Sequence, residues 1–124
     1  VKVTIYHFTI PRSQQFSTGK PTIADQILFG FDPQVRMLAI CKAWEENSTK
    51  NPEQDMSYVK VADVEVDDLE HAFSTSNHID SSWQENPNVL NLYKSHPRST
   101  SVGDIMVTGE GKTFYVDSFG FKEI

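Results

Sequence analysis

The residues best suited to acid–base chemistry are His78 and Asp80, which flank Ile79 in the run Asn77-His78-Ile79-Asp80-Ser81-Ser82-Trp83. An imidazole and a carboxylate held on a loop beside an indole can hold or pass a proton. Such Asn, His and Asp side chains more commonly satisfy backbone groups, and catalysis here would need a third group that the sequence does not identify. Arg98, Ser99, Thr100 and Ser101 place a guanidinium beside three hydroxyls, a set that suits an anion or a phosphate. No glycine-rich phosphate loop with its lysine accompanies them. The favoured reading is a tight turn over Ser99 to Asp104, with Gly103 in a conformation other residues avoid and Asp104 bonded to local amides.

Metal chemistry finds little support. His7, His71, His78 and His96 are scattered without ligand spacing, and Cys41 has no second cysteine to complete a zinc set or a disulfide. Cys41 lies among apolar neighbours and reads as a small core residue. No catalytic residue, metal or cofactor is therefore assigned.

Charge limits the partners. With a formal charge of −6 the chain is a poor general binder of nucleic-acid backbone, whose affinity rests on lysine and arginine contacts. Trp44, Trp83, Phe119 and Phe121 could stack on bases, but only Lys112 and Lys122 accompany the last strands, so the aromatics read mostly as core. Acidic residues crowd at Asp63, Glu65, Asp67, Asp68 and Glu70. They form either a solvated face, the more ordinary reading, or a negative stripe able to dock on a basic protein.

The elements that must position these groups follow from periodicity. Val1 to Ile10 alternates apolar and polar residues like a strand, and Pro11 stops it before a polar loop from Arg12 to Lys20. A short helix is expected around Ile23, Ile27 and Leu28, ended by Gly30. Asp32-Pro33 resembles an N-cap with proline in the first turn, which favours a helix to Glu46 although Val35, Met37, Ala39 and Cys41 also alternate like a strand. Its apolar stripe is either Val35, Leu38, Cys41 or Met37, Ile40, Trp44.

Asn47 to Ser57 is polar and reads as a flexible loop. Tyr58 to Val66 is a strand with apolar residues on both faces, hence a central one. Asp67 should cap a helix from Asp68 to about Ser74, with Glu70 reaching back and Leu69, Ala72 and Phe73 buried. Thr75 to Ser95 reads as a long ordered loop. From Arg98 the chain becomes a β meander through Ile105–Val107, the Gly109-Glu110-Gly111 turn, Thr113–Val116 and Phe119–Ile124. Gly120 there marks a bulge or a close approach of another backbone.

The runs Tyr58–Ala62, Asp67–Glu70, Asn77–Trp83, Arg98–Asp104 and Asp117–Phe121 together resemble small proteins encoded by bacteriophages, plasmids and conjugative elements, and the ending is similar to the YodL-like family. The resemblance covers roughly the C-terminal half. Its most specific part is the arginine-serine-x-serine-valine-glycine-aspartate run followed by an aromatic-glycine-aromatic ending. It implies a phage or mobile-element accessory protein, with no catalytic residues to carry over.

The expectation is a single α+β domain over residues 1–124: a small mixed domain with an antiparallel C-terminal β meander and two or three short helices packed on the sheet. No apolar run is long enough to span a bilayer and no secretion signal begins the sequence, so the host cytoplasm is the expected location. The expected function is non-catalytic: an accessory protein that binds and modulates a host protein, such as a defence or transcription component. The acidic stripe of Asp63, Glu65 and Asp67, the loop residues His78, Asp80 and Trp83, and the aromatics Phe119 and Phe121 are its candidate contacts. The alternative is a nucleic-acid or nucleotide-binding module built on Arg98, Ser99, Ser101 and Asp104 with the C-terminal aromatics. Edge pairing through Phe121 and Ile124 would give a dimer.

Overall fold

The computed structural model describes residues 1–9, 32–49, 57–77, 83–94, 97–117 and 120–124. Among these, strands β1 (Lys2–Thr9), β2 (Ser57–Glu65), β3 (Val89–Leu92), β4 (Ile105–Thr108), β5 (Thr113–Asp117) and β6 (Gly120–Glu123) form one sheet ordered β3-β2-β1-β4-β5-β6. Among the described residues two α-helices accompany it, α1 (Pro33–Glu45) and α2 (Leu69–Ser76). The fold is therefore α+β with an antiparallel C-terminal meander, as the periodicity predicts.

The sheet is antiparallel throughout. Ile5 lies opposite Met106, Met106 opposite Phe114, and Val116 opposite Phe121. At one end of the β1/β2 pair the Val66 amide donates to the Val1 carbonyl, and at the other Thr9 meets Ser57, so these strands also run in opposite directions. β2 is interior, and Val61, Ala62 and Val64 on its two faces are all buried, which accounts for its apolar residues lacking strict alternation.

Contacts within the chain gather into two compact units, Val1–His7 with Lys60–Ile124, and Phe8–Val59. In the first, Val3, Ile5, Val64, Ala72, Met106 and Val116 belong to one core cluster, against which Leu69, Phe73 and Phe121 pack. Each fully buried valine, isoleucine or methionine among them contributes about 1.5–3 kcal/mol by leaving water. α2 depends on this packing, because its 8 residues fall short of the ~12–15 that hold an isolated helix together.

In the second unit, the Asp32 carboxylate accepts from the Gln34 amide at 2.9 Å, which starts α1 where the Asp-Pro pair predicts. Ala39, Ile40 and Ala43 are buried, while Val35, Met37 and Leu38 are exposed. The buried row is thus centred on Ile40, and Cys41 is half-buried rather than core. Burial, followed by the Glu45 charge, pushes the Cys41 thiol up, which suppresses the reactive thiolate. Trp44 and Phe8 each meet the Tyr58 ring edge to face, with centroids 5.6 and 6.4 Å away.

Three local expectations are corrected. α2 is capped by Asp68 rather than Asp67: its carboxylate accepts from the His71 amide at 2.8 Å. The returning bond comes from His71, whose Nδ1 accepts from the Asp67 amide at 3.1 Å, and the helix runs on to Ser76. The stretch Thr75 to Ser95 is not all loop, since it holds the end of α2, a 3-10 turn at Trp83–Glu85 and strand β3. Asn47–Thr49 forms a 3-10 turn, and the Asn47 amide brackets the Tyr58 backbone, donating to its carbonyl at 3.0 Å and accepting from its N–H at 2.6 Å. Ser57, placed in the same polar loop by composition, is buried in β2. The expected helix near Ile23 and the remainder of that loop, 50–56, lie outside the described residues.

Candidate functional site

The acidic stripe does not present a single face. Asp63 is only 2% exposed and is enclosed by donors from two neighbouring strands and the residue after β3. Thr4 donates to Oδ1 at 2.5 Å, while Tyr93 and Asn91 donate to Oδ2 at 2.6 and 3.1 Å. The Lys2 ammonium stands 3.9 Å away. Burial pushes the Asp63 carboxyl up, but these hydrogen bonds and the lysine charge outweigh it and hold the carboxyl below its usual range. The Tyr93 phenol, donating a hydrogen bond to this carboxylate, is pushed up in turn. Asp63 is thus a tie between β1, β2 and β3 rather than a surface contact. Glu65 and Asp67 are exposed, as are Asp68 and Glu70 at the start of α2.

Arg98, Ser99, Ser101 and Asp104 come together, in a way that employs the cation internally. Nη2 and Nη1 of Arg98 donate to the two oxygens of Asp104 at 2.7 and 2.8 Å, the forked geometry that suits guanidinium and carboxylate. Nη1 also donates to the Ser99 carbonyl at 2.9 Å and to the Ser101 hydroxyl at 3.3 Å. The Ser101 amide donates to Asp104 at 2.8 Å. Gly103 has φ 95°, a left-handed conformation that turns the chain so that Asp104 faces inward. Asp104 is 0% exposed, so its charge is compensated in place and Arg98 has a carboxylate where an external phosphate would otherwise sit.

His7, read from sequence only as one of four scattered histidines, completes this knot. It is 1% exposed, and its Nε2 meets the Thr100 hydroxyl at 2.8 Å. Burial first, and then the Arg98 and Lys94 charges, lower its pKa to about 3. The hydroxyl–imidazole pair resembles a nucleophile and its base, but the geometry argues against that chemistry. Thr100 is as buried as His7, and Asp104 lies 3.8 Å from the same Nε2 instead of orienting the ring through Nδ1. Trp83 closes the knot: its indole is buried, its Nε1 donates to the Arg98 carbonyl at 3.0 Å, and its ring meets His7 edge to face with centroids 6.3 Å apart. His78, Asp80 and Phe119 lie outside the described residues. Among the described residues, no group of three or more His, Cys, Asp or Glu side chains is placed to hold a metal.

Phe121 lies elsewhere, on the lining of an open, largely apolar groove. This groove of about 350 Å³ opens between α2 and the β5/β6 hairpin, lined by Phe73, Val102, Val116 and Phe121, with Glu70 and Asp117 supplying carboxylates. Phe73 and Phe121 meet edge to face with centroids 6.2 Å apart. Gly120, at φ 101°, opens β6 beside the groove. Of the described residues expected to bind, only Phe121 lines it. Glu70 and Phe73 sit some 50 residues from the hairpin in sequence, so no local spacing signals the site; the combination of an amphipathic α2 with an aromatic last strand is its faint trace.

Searches against protein-family models, curated proteins and solved structures found no match. No helix among the described residues is long and apolar enough to cross a membrane.

Proposed function

We propose that this protein is a non-catalytic binding protein that docks on another protein through the groove between α2 and the β5/β6 hairpin and modulates it. The carrying observation is the groove itself, in which aromatic and aliphatic walls stand beside two carboxylates. Val116 belongs to the core cluster and Phe73 and Phe121 pack against it, which supports a groove formed before a partner arrives. The net charge of −6 favours a basic partner surface. The resemblance of the C-terminal half to YodL-like proteins supports an accessory role for a phage or mobile element, acting on a host defence or transcription protein in the host cytoplasm. The alternative, a nucleotide site at Arg98 to Ser101, is weakened by the fork between Arg98 and Asp104.

The test is affinity capture from host lysate, with and without nuclease, comparing the wild type with Glu70→Lys and Phe121→Ser. One stoichiometric protein that survives nuclease and is lost with both variants is expected. Capture that depends on nucleic acid, or that ignores both substitutions, would refute docking through this groove.

A further inference from the structure

We propose that the groove between α2 and the β5/β6 hairpin receives an arginine side chain of the partner protein. This inference rests on the groove being the docking site and specifies what enters it. Three features of the groove select the occupant. Its floor is apolar, formed by Val102, Val116 and two phenylalanine rings, so an occupant needs a hydrocarbon stem to bury. The polar side chains among its described lining residues are Glu70 and Asp117, both acidic, so the head group should be positive. Its two phenylalanine rings, Phe73 and Phe121, stand edge to face, and aromatic rings attract cations through their quadrupoles.

Arginine meets all three conditions better than lysine. A planar guanidinium stacks on aromatic faces, is weakly hydrated and offers several donors to carboxylates, whereas an ammonium is a compact, strongly hydrated point charge. The N-terminus of α2 opposes a cation in principle, with a helix dipole equivalent to roughly +0.5 of a charge. Glu70, in the first turn of α2 and on the groove lining, sets a carboxylate against it. The cavity of about 350 Å³ is ample for one such side chain and small for a folded element, so it is a pocket for a single anchor residue.

The experiment titrates the intact chain with N-acetyl-argininamide and follows backbone amide shifts by NMR, with N-acetyl-citrullinamide as the uncharged control. A small ligand of this size should bind with a dissociation constant on the order of 1 mM at low salt. Saturable shifts are expected at Phe73, Gly120 and Phe121, at least about tenfold weaker for Glu70→Gln and for Asp117→Asn, because each loses a charge-assisted bond. Glu70 is exposed, so its substitution leaves the fold intact and serves as the safe variant. The absence of saturable shifts, equal shifts with the citrulline compound, or binding indifferent to Glu70→Gln would overturn the inference. If argininamide fails to bind while partner capture still depends on Phe121, docking stands and the arginine assignment falls. If argininamide binds but capture ignores the groove, docking through it falls and the assignment of a partner's arginine falls with it.

Discussion

Between pH 7 and pH 5 the native state should lose about 2 kcal/mol through His7 alone. The reasoning starts from a ring that is 1% exposed and whose pKa stands at about 3, compared with an ordinary value of 6.5. Burial is the main cause, and the Arg98 and Lys94 cations add to it. Asp104, 3.8 Å from Nε2, would favour a charged ring were it not engaged by the Arg98 fork and the Ser101 amide. Because the folded pKa lies below the unfolded one, the unfolded chain takes up the proton first. Stability from a neutral His7 is therefore complete above pH 6.5 and falls by about 1.4 kcal/mol per pH unit towards pH 3. Urea unfolding at pH 7, 6 and 5, followed by tryptophan fluorescence, measures that slope, and Trp83 beside His7 is a local reporter. The control is His7→Gln, which cannot titrate; it should cost about 1–2 kcal/mol at pH 7 for imperfect packing but lose less on acidification than the wild type. Other titrating groups cancel in the difference. Parallel pH dependence of the two proteins would refute the argument.

Asp63→Ala should destabilise the fold by about 2–3 kcal/mol in chemical denaturation, because Thr4, Asn91 and Tyr93 lose their common acceptor. The wild-type carboxylate, with its lowered pKa, should contribute fully above pH 3.8, and that contribution should fade as pH drops through the folded value. Glu65→Lys and Asp67→Lys should each shift stability by less than about 0.5 kcal/mol, which separates the exposed acids from Asp63 in the same assay. Gly103→Ala should cost about 1–2 kcal/mol by thermal or urea unfolding, since φ 95° is disfavoured for a residue with a β-carbon. Asp104→Ala should cost about 3 kcal/mol or somewhat less, the guanidinium being 41% exposed and able to recover water.

How much was legible in the sequence varies with the range of the interaction. The Asp32-Pro33 cap starts α1 because proline presets a helical φ and the aspartate reaches an amide two residues on, all within one turn. Gly103 and Asp104 form the expected turn for the same reason. Strand β3 escaped because Val89-Leu90-Asn91-Leu92 has weak alternation and is held by β2, with a register shift between Asp63 and Val64. The cap of α2 was displaced by one residue because two adjacent aspartates compete for it and the His71 side chain, rather than Glu70, returns the bond.

From its sequence alone this protein is an α+β chain with a C-terminal meander, acidic overall and without a metal-binding or nucleotide-binding motif, since periodicity, turn chemistry and composition are local or additive properties. Tertiary structure decided which charges face water and which are buried. Asp63 and Glu65 are two residues apart on one strand, yet only Asp63 is enclosed, because its neighbours across the sheet, Thr4 and Asn91, and the nearby Tyr93 are donors. Arg98 could have served a phosphate until the turn carried Asp104 beneath it. The groove likewise exists only once α2 lies against the last hairpin, bringing Phe73 to Phe121 across a sequence separation that no spacing rule spans.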